Sequence, residues 1–85
     1  MEDFKQAVER ARQAGACRYS LEQLEQMSGW DEFFARGEAA YWAYWYARNV
    51  IEGRWPEAES VIAQYVVSAY YYRQNVFDYS KEGNA

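Results

Sequence analysis

Few side chains in this 85-residue chain have the chemistry for a reaction, and their spacing narrows the choice further. There is no histidine, and Cys17 is the only cysteine. A nucleophile–histidine pair and a zinc site of the Cys/His kind are therefore excluded. Arg18 follows Cys17 and would lower its thiol pKa, but no imidazole stands ready as a base. A small, half-buried filler is the simpler reading of Cys17. Paired carboxylates remain. Glu22 and Glu25 are three apart on one helix face, Asp31 and Glu32 follow in the next helix, and Glu57 lies close to Glu59. General acid–base work or a divalent cation would use such groups. Solvated helix faces with acids matched to the helix dipole account for them more simply. No phosphate-cradling glycine loop, Walker lysine or dinucleotide fingerprint occurs. The expectation is a non-enzymatic protein that needs no cofactor and no metal.

Charge and composition narrow the partners. Thirteen acids against nine bases give a net charge of −4. Nucleic acid and anionic membranes both call for a basic surface, so neither is an expected ligand. The longest apolar or aromatic run, 39–47, is nine residues, well short of the ~20 that span a bilayer. Met1-Glu2-Asp3 is acidic, unlike the start of a signal peptide. One unpaired cysteine fits a reducing setting, so the expected location is cytoplasmic. At this length one domain, 1–85, is expected, with a limited core. Aromatic residues make up 20% of the chain. Their burial, or a partner chain, must supply the missing stability.

The elements that position these residues read as helices throughout. Phe4, Ala7, Val8, Ala11 and Ala14 follow helical spacing, so a first helix is expected over 3–14, stopped by Gly15. Ser20-Leu-Glu-Gln23 reads as a capping box ahead of Leu21, Leu24 and Met27. Ser28-Gly-Trp-Asp31 suggests another cap, before a short helix carrying Trp30, Phe33 and Phe34 and ending at Gly37. The third long element spans 38–52. Its residues 41–47 are all aromatic or alanine, with no polar face, and Gly53 is the expected stop. Pro56 suits a first helical turn, Glu57 and Glu59 match its dipole, and Val61 and Ile62 carry its packing. Arg54 is expected to pair with Glu57. Residues 65–68 read either as a junction before a last helix over about 68–79 or as part of one helix from Pro56 to Asp78. Residues 80–85 read as a frayed tail.

A repeat ties the second half together. Residues 43–52, AYWYARNVIE, resemble 69–78, AYYYRQNVFD, at an offset of 26. Such an offset suits helical pairs. The stretch Tyr46-Ala47-Arg48-Asn49-Val50-Ile51-Glu52-Gly53-Arg54-Trp55-Pro56-Glu57-Ala58-Glu59 also resembles a tandem helical repeat of uncharacterised bacterial and phage proteins, in which "YA..VI.GRWPEAE" recurs. The match is specific over these fourteen residues and extends plausibly over 38–78. The chain departs from it in holding one complete unit, with Tyr79-Ser80-Lys81-Glu82 where Gly-Arg-Trp-Pro would return. The resemblance implies helical pairs and often a phage or mobile-element source, and with it the cytoplasm of a bacterial host. It implies no catalytic residues.

The expected architecture is all-α: a small bundle of about five helices, N-terminal ones over 3–37, a repeat-like helical-pair stack over 38–79, and the first helix packed across the last three. Trp45 and Tyr71, aligned by the repeat, are the expected core rings. The remaining aromatics should leave a Tyr/Trp surface of the kind enriched in interface hot spots. Between Glu22 and Glu38 five acids face one base, Arg36. Glu22, Glu25, Asp31, Glu32, Glu38, Tyr41, Trp42 and Tyr70 are thus the candidate partner-binding residues. The expected function is a protein-binding inhibitor that blocks a CRISPR effector or another nucleic-acid-processing complex, similar in kind to anti-CRISPR proteins. Two alternatives stand beside it: a self-associating homodimeric module, and a small carboxylate enzyme or metal protein.

Overall fold

Asp3 opens the fold by accepting a hydrogen bond at its carboxylate from the Gln6 N–H at 3.3 Å, which starts α1, Phe4–Gln13. The computed structural model describes residues 2–77, and these are all-α: six α-helices, two π-helical turns and one 3-10 turn. The chain divides into two units, Met1–Arg36 and Gly37–Ala85. The expected tail 80–85 lies outside the described residues.

In the first unit α1 buries Phe4, Ala7, Val8 and Ala11, while Ala14 is exposed at its cap. Gly15 takes φ 96°. Its N–H donates to the Arg12 carbonyl at 3.1 Å, and the Ala16 N–H to the Ala11 carbonyl at 3.0 Å. This pair of bonds satisfies carbonyls that the helix end would orphan, and it requires a left-handed residue at Gly15. α2 runs Arg18–Glu25 and α3 Trp30–Ala35. The expected capping box is absent: α2 starts earlier, with Cys17 in the cap position, and Ser20 lies inside the helix. The expected Ser28 cap of α3 is absent: the cap position is Gly29, with no side-chain hydrogen bond, and Glu32 instead reaches back to Ser28. Its carboxylate accepts from both the Ser28 N–H and the Ser28 hydroxyl at 3.1 Å. Leu21, Leu24 and Met27 are buried as their spacing predicts. Trp30 packs edge-on against Phe4 at 5.0 Å and Phe33 at 5.5 Å, and its indole N–H donates to the Glu2 carbonyl at 2.7 Å.

In the second unit α4, Ala39–Tyr46, continues without a break into a π-helical turn, Ala47–Ile51. Ala39, Ala43 and Ala47 fall four apart and are fully buried. This small-residue ridge lets α5 (Glu59–Ile62) and α6 (Val66–Tyr72) approach α4 closely. The helix ends with Glu52 left-handed at φ 60°, not with Gly53 as the sequence suggested. The Glu52 N–H reaches back to the Ala47 carbonyl, closing the wider π turn. Pro56 opens a 3-10 turn, Pro56–Ala58, that leads into α5. Tyr65 is extended, so α5 and α6 are separate helices and the junction reading holds, with α6 starting two residues earlier than expected. α6 also continues into a π-helical turn, Arg73–Phe77. The two π turns sit 26 residues apart, the offset of the sequence repeat.

The Arg-Trp-Pro-Glu-Ala-Glu segment is where this unit is tied. Arg54 pairs with Glu59, not Glu57, through two bonds of 3.0 Å. The Tyr72 hydroxyl donates to Glu59 at 2.7 Å and accepts from the Trp55 N–H at 2.9 Å. Trp55 is buried and packs on Tyr46 at 5.2 Å. The core rings are therefore Tyr46 and Tyr72, each one residue past the expected Trp45 and Tyr71, which are half-buried and exposed. Arg54, then Tyr72, holds the Glu59 carboxyl below the ordinary range. Burial, then Glu59, pushes the Tyr72 phenol up to about 12.

Two outcomes follow for stability. Tyr72→Phe leaves the Trp55 N–H without its acceptor, at a cost of about 1–3 kcal/mol near neutral pH. The contribution of Glu59 is complete above its unfolded-chain pKa and is lost as pH falls through its depressed folded value. That of Tyr72 is complete below the ordinary phenol value of 10.0 and is lost as pH rises towards about 12. Urea midpoints across pH should fall on both sides in the native chain, and Tyr72→Phe should remove the alkaline fall due to this group. An unchanged midpoint near neutral pH would contradict the tie. Glu52→Gly, which relieves a left-handed residue bearing a Cβ, should raise stability by about 0.5–1 kcal/mol; a lower midpoint would contradict this.

Candidate functional site

The repeat helix α6 has two apolar sides. Ser68 and Tyr72, and Val76 beyond the helix, face the core of the second unit. Val66, Val67, Tyr70 and Tyr71 fall one turn apart on the opposite side. They are 84%, 65%, 60% and 48% exposed. A helix side that faces water is normally polar; this one carries no polar group but two phenol hydroxyls. The surface continues onto α4 through a row of rings. Tyr70 packs edge-on against Tyr71 at 5.5 Å, Tyr71 lies 6.3 Å from Tyr44, and Tyr44 lies 6.2 Å from Tyr41. Tyr41 is 57% exposed. The Tyr44 hydroxyl accepts from the Asn75 side-chain amide at 3.0 Å, and Arg48 donates to the Asn75 carbonyl at 3.4 Å. Residues of both π turns thus fix the middle of the row.

The candidate residues divide between the units. Glu22, Glu25, Asp31 and Glu32 belong to the first; Glu38, Tyr41, Trp42 and Tyr70 belong to the second. Tyr41 and Tyr70 are brought into one row. Trp42 is half-buried, and Glu38 is exposed at the cap of α4. The acids of the first unit are largely met by arginines. Glu22 pairs with Arg18 at 3.2 Å, Glu25 with Arg12 at 2.6 Å, and Glu32 with Arg36 at 4.0 Å. Counting charges only between Glu22 and Glu38 missed Arg12 and Arg18, which lie earlier in sequence. Asp31 is exposed in the first turn of α3.

The chemistry available elsewhere is slight. Among the described residues no three carboxylates or thiols cluster to hold a metal ion. Cys17 is exposed, and its Sγ lies 3.2 Å from the Ser20 hydroxyl. Hydrogen bonding to Ser20 holds the thiol below its ordinary pKa; Arg18 is engaged with Glu22 instead. Among the described residues no helix is long and apolar enough to cross a membrane. Comparison with protein-family models, curated proteins and solved structures gives no match.

Sequence reasoning had marked Tyr41 and Tyr70 but missed Val66, Val67 and Tyr71. The available signal was the spacing 66, 67, 70, 71, one turn apart and uniformly apolar. If this face is kept for contact rather than folding, Val66→Ser and Tyr70→Ser should each change stability by no more than ~0.5 kcal/mol. Tyr46→Ala, which empties a buried ring position, should cost about 3 kcal/mol or more. Thermal melts of the three variants distinguish the cases, and a large loss in Tyr70→Ser would make that ring a folding residue.

Proposed function

We propose that this chain is a binding protein without catalytic activity, and that it holds a protein partner through the outward face of α6 and the tyrosine row leading to Tyr41. The observation that carries this reading is that face itself: Val66, Val67, Tyr70 and Tyr71 exposed together on a helix already packed on its other side. Contiguous apolar surface of this kind marks interaction sites. Tyrosine provides large contact area at low entropic cost, with a hydroxyl for hydrogen bonds.

A more specific form is a cytoplasmic inhibitor of phage or mobile-element origin that blocks a bacterial defence complex, as anti-CRISPR proteins do. The net charge of −4 and the repeat resemblance over 46–59 support it. Because Glu22, Glu25 and Glu32 sit beside their own arginines, the aromatic face is the anchor in this form and the acids act on association rate and salt dependence.

The test is capture from bacterial lysate at low and high salt with three folded baits: the native chain, Tyr41→Ser/Tyr70→Ser, and Glu22→Ser/Glu25→Ser/Asp31→Ser/Glu32→Ser. The expected result is a stoichiometric protein held by the native and four-acid baits and lost from the tyrosine variant. A complex lost at high salt and from the four-acid bait, yet kept by the tyrosine variant, would move the contact to the acids and contradict this reading.

A further inference from the structure

We draw no further inference here: the strongest candidate, the outward apolar side of α6 with Val66, Val67, Tyr70 and Tyr71, belongs to the site already described, and nothing in the structure shows what covers it.

Discussion

One phenol oxygen sets the orientation of the second unit. The Tyr72 hydroxyl stands between the Trp55 amide and the Glu59 carboxylate, and Arg54 closes the other side of that carboxylate. Every member gains from the arrangement. A buried amide finds an acceptor, a carboxylate finds two donors, and a buried hydroxyl is used as both donor and acceptor. An unmet member would cost more than a met one gains, so the group favours one rotation of α6 over its neighbours. Because Tyr72 must face Trp55, Val66, Val67, Tyr70 and Tyr71 must face away. The apolar outer surface is thus a consequence of the tie, not a failure to bury those residues.

Backbone geometry reinforces this. α4 and α6 each end in a π-helical turn, which shifts the following residues round the helix axis relative to an unbroken α-helix. Through these turns Asn75 reaches Tyr44 and Arg48 reaches the Asn75 carbonyl, so the middle of the tyrosine row is held from both repeats. Rings fixed in this way lose less freedom on meeting a partner than free surface tyrosines would. The alanine ridge of α4 has the complementary role: side chains this small bring α5 and α6 close enough for the tie to form.

Much of the fold was legible in the sequence. Helix α1 followed from its apolar spacing, its stop from Gly15, and the helical pairs from the 26-residue repeat. The phase of α4 and α6 was not legible. α4 is aromatic or alanine all round, and α6 holds only valine, serine, alanine and tyrosine, so no charged face marks which side is out. The assignment of Trp45 and Tyr71 to the core missed by one residue, about a hundred degrees of helix rotation. What decides the phase is Tyr72 bonding to Trp55 and Glu59, residues well separated from it in sequence. The pairing of Arg54 with Glu59 rather than Glu57 has the same origin, since the 3-10 turn at Pro56 sets which acid comes within reach. In the first unit the acidic run appeared unopposed only because Arg12 and Arg18 precede it and are brought to it by the packing of α1 and α2.

The account comes down to whether the outward side of α6 is where this chain meets protein. Two-dimensional NMR of valine methyl and tyrosine ring signals as the captured protein is added tests that most directly. The account predicts that signals of Val66, Val67, Tyr70 and Tyr71 move on addition, while those of buried Val76 and Tyr72, and of Val8 in the first unit, stay in place. Spectra unchanged by the partner, or movements centred on the first unit, would contradict it.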